Sequence, residues 1–351
     1  MLKKPNPVPV TYWLLICCGL VFVTALLGAI TRLTESGLSI TSWDPVIGIV
    51  PPLNEESWQK AFTAYQAIPQ YQVLNRGMTL EAFKGIYFWE WLHRFLDRLI
   101  GVVFAVPWVV FLVQRKINKS DGLKLALIFA LGGLQGFVGW FMVQSGLEVR
   151  TSVSPYRLAL HLGLALVIYS ALLWTAFSGM RHEAPQSKTP PALLRHGWIA
   201  LGLLAVTMTW GAFVAGLHAG EVYNTWPLME GDVFPAGAAT LQPMWHNFFE
   251  NPAGAQFLHR WLGPTTMIVL LAWVARCWGG ADQSRKTGLA ALAGMAVVQV
   301  GLGIGTLLSH AEIVLAVLHQ AGAITLLSLV LWNLQRFSDA RASSAQTTAH
   351  K

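Results

Sequence analysis

Eight apolar stretches, each of about twenty residues and so long enough to cross a hydrocarbon core, govern what this chain can become. They occupy roughly 11–31, 86–113, 121–144, 156–177, 197–218, 255–277, 287–308 and 312–335. Inside a bilayer every backbone N–H and C=O must find its partner within the protein, which leaves helices for runs of this length. The expectation is an all-α integral membrane protein with eight transmembrane helices. Charge content agrees, since 12% of residues are Asp, Glu, Lys or Arg against about 25% in soluble domains. A net charge of +7 would suggest nucleic acid in a soluble chain. Here the cations fall mainly in short connections, where they set orientation, so the partner is the lipid bilayer and no nucleic acid is expected. The opening MLKKPNPVPV has no convincing cleavage site after it, and the first stretch reads as a retained helix. Cys17, Cys18 and Cys277 lack the spacing of a zinc site or a disulfide framework and read as small core residues.

Connections 114–120, 178–196 and 278–286, with both termini, hold Lys3, Lys4, Arg115, Lys116, Lys119, Arg181, Lys188, Arg195, Arg285, Lys286, Arg336, Arg341 and Lys351. Segment 219–254 has Glu221, Glu230, Asp232 and Glu250 and neither Lys nor Arg. By the positive-inside rule both termini are cytoplasmic, and 32–85, 145–155 and 219–254 lie outside. Residues 32–85 exceed a minimal connection, and Trp58, Phe62 and Tyr65 recur at helical spacing. A cap over the outer face is expected, with a plain ordered loop as the alternative.

Internal repetition organises the chain further. Gly37, Trp43 and Gly48 recur as Gly220, Trp226 and Gly231, an offset of 183. Glu90-x-x-His93-Arg94 recurs as Gln256-x-x-His259-Arg260, an offset of 166. Gln135, Gly139 and Ser145 recur as Gln299, Gly303 and Ser309, and His161 matches His319, with offsets of 164 and 158. Motifs in one fixed order predict two pseudo-symmetric four-helix bundles, 1–180 and 195–340, joined by a cytoplasmic linker at 181–194 and followed by a flexible tail at 341–351. Four spans per half return the chain to the same side, so the halves share a topology, related by an axis along the membrane normal.

The stretch IYFWEWLHRFLDRLIG (86–101) carries Glu90, His93, Arg94, Asp97 and Arg98 on one side of a helix. Ionisable groups at that depth are costly and face a bundle interior that satisfies them. His93, His161, His259 and His319 each fall about five to seven residues past the start of an outside-to-inside segment, which places all four imidazoles roughly 7–10 Å below the outer boundary. Two facing histidines per bundle suit bis-imidazole ligation of a haem. Hydrogen-bonded core histidines are the bland alternative. Zinc is disfavoured because no Cys, Asp or Glu completes a tetrahedral set. His182, His196 and His350 lie in connections or the tail, and His218, His246 and His310 at the outer surface. Gly132, Gly133, Gly136, Gly139, Gly301, Gly303 and Gly305 would let a flat macrocycle approach the backbone or let helices pack closely, and most read as sites of close packing. Arg94, Arg98, Arg157 and Arg260 are candidates for haem propionates, or for plain ion pairs such as Glu90 with Arg94.

Taken together, TRLTESGLSITSW (31–43), MTLEAFKGI (78–86), EWLHR (90–94), LHLG (160–163), FLHRW (257–261) and LHQ (318–320) resemble haem A synthase. The likeness covers nearly the whole chain and is nearer the mitochondrial and proteobacterial branch. It implies an oxidoreductase of the bacterial cytoplasmic (inner) membrane that converts a methyl group of haem O to a formyl group by successive oxidations, giving haem A for cytochrome oxidase. On that resemblance His93 and His161 are axial ligands of the substrate haem in a catalytic N-terminal half. His259 and His319 hold a haem B cofactor, and Glu90 is catalytic. Implied partners are haem O, haem O synthase, cytochrome oxidase assembly factors and an electron donor. The cysteine pair that other members carry in the first outer loop is missing, so its redox role does not transfer. Replacement of Glu90 by Gln256 independently leaves only the first half with an ionisable group at that position. A diheme electron-transfer cytochrome and a non-catalytic haem carrier are the alternatives.

Overall fold

A computed structural model describes residues 7–43, 47–148, 150–180 and 189–349, with Ile47 and 339–349 described for the backbone alone. Among these residues eleven α-helices follow in order: α1 (Val8–Leu33), α2 (Glu55–Gln66), α3 (Pro69–Val73), α4 (Leu80–Val113), α5 (Lys119–Leu147), α6 (Pro155–Gly179), α7 (Pro191–Gly216), α8 (Asn247–Glu250), α9 (Pro252–Trp278), α10 (Gln283–Leu308) and α11 (Ile313–Ala349). Among the described residues there is no strand, only an isolated bridge between Met229 and Asp232. Eight helices, α1, α4–α7 and α9–α11, are long and apolar enough to cross a membrane, and the chain is a multi-pass membrane protein.

Several boundaries differ from the hydropathy reading for local reasons. Helix α4 starts six residues before 86 because Thr79 Oγ1 accepts from the Ala82 N–H and caps the first turn. Helix α7 starts at Pro191, a position where proline's missing N–H costs nothing, so 191–194 of the expected linker and His196 are helical. Residues 181–188 of that linker lie outside the described residues, as do Lys3, Lys4, His350 and Lys351. The tail expected to be flexible instead continues α11 as far as Ala349.

In the first half α1 packs on α4 and α6, and α5 on α6. In the second, α7 packs on α9 and α11, and α10 on α11. The groups meet where α6 lies on α7 and α11 and where α1 lies on α11. One apolar core, including Trp13, Leu172, Leu204, Trp273 and Leu334, runs through both. A cap stands over one face: Phe62 and Tyr65 of α2 stack on Phe83 of α4 with ring centroids 5.0 and 5.3 Å apart, over buried Leu38. Burial of Tyr65 pushes its phenol pKa upward, and the hydroxyl satisfies itself by accepting from Asn75 and meeting Gln70.

Helices α1 and α7 end identically. Thr34 N–H donates to Ile30 O and Leu217 N–H to Phe213 O, after which Glu35 and His218 both take left-handed φ values of 53°. Every position in this pair of endings is separated by 183 residues, the offset already seen for Gly37 and Gly220.

Candidate functional site

His93, His161, His259 and His319 each rest on a glycine of a neighbouring helix. A Cβ on Gly28 would stand 3.0 Å from His93 Cε1, on Gly139 2.9 Å from His161, on Gly211 3.2 Å from His259 and on Gly303 2.9 Å from His319. Bare backbone therefore makes the floor on which each imidazole lies. Gly28 and Gly211 are again 183 apart and were not singled out in the sequence; their signal is that offset. His161, His259 and His319 lie six, seven and six residues into their helices. His93 lies thirteen residues into α4 because of the early start, yet Gly28 and Gly211, each five residues before their helix ends, put it near the same capped face.

In the second half the imidazole centroids of His259 and His319 are 6.3 Å apart with ring planes at 84°. Metal–nitrogen bonds of about 2 Å, with the ring radii added, put trans imidazole centres roughly 6 Å apart. Nδ1 of His259 lies 3.1 Å from Thr207 O, to which Nδ1–H donates, and Nδ1 of His319 lies 3.1 Å from the Gln299 carboxamide. Donation from Nδ1 fixes the His259 ring and leaves its Nε2 as the nitrogen that can face a metal, while Gln299, which also donates to His319 O, orients the second ring. The pair fits a bis-imidazole haem. Among the described residues no three His, Cys, Asp or Glu side chains cluster, so a tetrahedral ion has no ligand set.

The first half opens into a cavity of about 650 Å³, lined by His93 and His161 with Glu90, Arg94, Asp97 and Arg98, and deeper by Phe104, Ile128 and Leu172. Pockets for single organic ligands fall in this size range. Here the nitrogens are engaged differently. Nε2 of His93 is 3.6 Å from Asp97 Oδ2, and the Gln135 carboxamide lies 3.1 Å from Nδ1 and 3.3 Å from Nε2 of His161. At the position matching Asp97 the second half has Gly263.

One turn above His93 and His259 sits a clamp. Glu90, 3% exposed, accepts from Ser39 Oγ at 2.7 Å, Ile40 N–H at 2.8 Å and Arg94 Nη2 at 2.6 Å. Arg94 also donates to Ile40 O and Ser42 O and lies over Trp43. In the second half Gln256 accepts from Arg260 Nη2 at 3.0 Å and donates to Ala219 O and Val222 O. Arg260 donates to Tyr223 O and Pro227 O and lies over Trp226. The loop partners correspond: Ile40 to Tyr223, Ser39 to Val222, Trp43 to Trp226. The polarity is inverted, for the carboxylate gathers donors whereas the amide turns its own donors onto carbonyls. The Nε of Arg260 is buried without a partner. Arg98 donates to Arg94 O, and Arg157 stacks on Phe141 at 3.7 Å while donating to its carbonyl.

A family of cytochrome oxidase assembly proteins, COX15-CtaA, matches residues 11–331. The chain belongs to this family. Among its relatives, heme A synthase of Rhodospirillum centenum is 56% identical over 330 residues, covering 93% of this chain and 88% of that protein. Heme A synthase of Parvibaculum lavamentivorans is 46% identical over 94% of both chains, and that of Nitrosomonas eutropha 44% over 95% of both.

Within this family member the predicted residues Glu90, His93, Arg94, Arg98 and His161 come together around one cavity. His259 and His319 form a separate pair. Arg157 is directed to Phe141. Arg32, unremarked in the sequence, also lines the cavity and donates to Ala215 O, its own counterpart in the second half. The glycines read as packing sites divide: a Cβ on Gly132, Gly133, Gly136 or Gly301 would meet nothing within 4 Å, so close helix contact is not their role.

Proposed function

We propose that this chain is a haem A synthase, an oxidoreductase that takes a methyl group of haem O to the formyl level by successive oxidations. The observation that carries the reading is the exchange of Glu90 for Gln256 between otherwise matching clamps, with a large cavity beside the glutamate. His93 and His161 are the ligands we assign to the substrate haem, and His259 and His319 those of a haem B cofactor. When bound, haem B supplies one-electron redox chemistry.

Taking the methyl carbon to the formyl level removes four electrons, which leave to an external acceptor, and with water as the oxygen source releases four protons (R–CH3 + H2O → R–CHO + 4 e− + 4 H+), so positive charge develops beside the cavity wall. An ionised carboxylate has about four lone-pair sites, and Glu90 uses three of them on Ser39, Ile40 and Arg94. The remaining site lets Glu90 take a proton from the reacting carbon or its hydroxyl, while its fixed charge opposes the developing one. Because Arg94 and the Ile40 N–H hold the carboxylate from behind, it need not reorganise during the step. Gln256 holds no charge and only hydrogen-bonds, which suits a haem that passes electrons unchanged.

Arg94 and Arg260 spend part of their five donors on loop carbonyls, and their remaining N–H groups, including the unpartnered Nε of Arg260, are assigned to propionates. Arg98 on the cavity wall and Arg157 on α6 complete that set. The repeated motifs support two pseudo-symmetric bundles, and the basic connections support an inner-membrane orientation with cytoplasmic termini and the capped face outside. Haem O synthase, oxidase assembly factors and an electron donor are the partners this role requires.

Expression with a supply of haem O, followed by mass analysis of the extracted haem, tests the assignment. Alcohol and aldehyde derivatives are expected. Recovery of haem O alone would favour a carrier or an electron-transfer cytochrome.

A further inference from the structure

We infer that Gln320, although it follows His319 in the chain, is a positioning residue for the other haem site, because it holds α1 in place under His93. This rests on the assignment of His93 and His161 to the substrate. Nε2 of Gln320 donates to Ala25 O of α1 at 2.7 Å. Ala25 lies three residues before Gly28, the floor of His93, and four residues after Gly28 the Arg32 guanidinium donates to Ala215 O of α7. At the rise of an α-helix the floor sits within about 6 Å of a pin on either side. Both pins fasten α1 to the second half.

Helix α7, which matches α1, is fastened within its own half. Thr207 O accepts from Nδ1–H of His259, and Thr207 Oγ1 meets Thr266 Oγ1 of α9 at 2.7 Å. The counterpart of Thr207 is Thr24, whose hydroxyl is buried without a partner, and that of Thr266 is Ile100. Near Gly28 the bond from α1 to α4 is a long one, Thr31 Oγ1 to Trp89 O at 3.4 Å. Conversely, the residues matching Gln320 and Arg32 are Leu162 and Ala215, and neither side chain has a donor. Bonds missing inside the first half are thus replaced by bonds from across the interface. A carboxamide in apolar surroundings is costly unless bonded, and Ala25 O has a lone pair beyond the one its helix uses. The contact it secures has no slack, since a Cβ on Gly28 would stand 3.0 Å from the His93 ring. Freeing α1 therefore loosens the floor of His93, and with it the cavity wall formed by Thr24, Gly28 and Thr31.

Gln320→Met keeps the length of the side chain and deletes the donor. The full-length variant, carrying its resident haem, is titrated with haem O. Affinity for haem O should fall about three- to tenfold, the scale of one interhelical hydrogen bond, and the bound haem O should gain a high-spin fraction as His93 loosens. The resident haem should keep its content, spectrum and midpoint potential. A loss of resident haem equal to or greater than the loss of haem O affinity would overturn the inference, because Gln320 would then serve its neighbour His319. No change in either would also overturn it. Ser328→Ala removes another bond between the halves, Tyr169 OH to Ser328 Oγ at 2.8 Å, which joins α11 to α6 and not to α1. It should leave haem O affinity within about twofold of wild type; a fall as large as that of Gln320→Met would reduce the effect to general cohesion of the halves and overturn the role of α1. His93→Ala separates this inference from the site assignment. Whichever haem that variant removes is the one Gln320→Met must weaken, so loss of the resident haem in His93→Ala would refute the assignment and leave the role of Gln320 to be read from the same comparison.

Discussion

Around His259 and His319 each Nδ1 is tethered, to Thr207 O and to Gln299, and the rings already stand 6.3 Å apart. Around His93 and His161 the same glycine floors are present, and Gln135 stands 3.1 Å from Nδ1 of His161 as Gln299 does from that of His319, but Gln135 also lies 3.3 Å from Nε2, Nε2 of His93 lies beside Asp97, and a cavity of about 650 Å³ opens below. A ligand entering the second site finds its contacts organised in advance, which lowers the ordering cost of binding. A ligand of the first site must displace polar neighbours from the nitrogens it needs. The contrast suits a group that stays in one half and a substrate that arrives and departs in the other.

The most severe way to break this contrast is to remove a ligand. His259→Ala should abolish the resident haem absorption, whereas His93→Ala should retain it and lose haem A formation; a full haem complement in His259→Ala would erase the distinction. Next in size is Glu90→Gln, which gives the first clamp the second clamp's residue. Haem A formation should fall by about 10²–10³-fold, the scale of losing a preorganised electrostatic group, with the resident spectrum unchanged, and a normal rate would remove Glu90 from the chemistry. Gly303→Ala and Gly139→Ala push on His319 and His161 through contacts of 2.9 Å. The first should weaken resident haem retention about 10–100-fold and the second only haem O binding; crossed effects would mean that the halves are wrongly paired.

The smallest effect concerns how the helices carrying His161 and His319 begin. Glu312 accepts from the Val314 and Leu315 N–H groups at the start of α11, and these bonds hold its carboxyl below the ordinary carboxylate range. Its counterpart Ser154 makes no side-chain cap at α6. A depressed native pKa stabilises the fold above the unfolded value, and the contribution is lost as pH falls through the native value. The difference in thermal midpoint between wild type and Glu312→Gln should therefore shrink below about pH 4.

Hydropathy made all eight spanning helices legible, because lipid leaves the backbone so few options. It misplaced the starts of α4 and α7 by six residues each, since the deciding groups, the Thr79 cap and Pro191, stand in polar sequence that an apolar window ignores. The histidines and the Glu90/Gln256 exchange were visible as spacing. Their environment was not: Glu90 meets Ser39 and Ile40 from fifty residues away, contacts that no local pattern encodes. Gly132 and Gly136 looked like packing glycines because only three dimensions reveal that nothing faces them.

The cap has a consequence of its own. Phe62 and Tyr65 stack on the same helix that bears His93, and Glu90 and Arg94 bolt that helix to Ser39, Ile40 and Ser42. Lifting the roof from its pillar would therefore cost the very hydrogen bonds that hold the carboxylate in place.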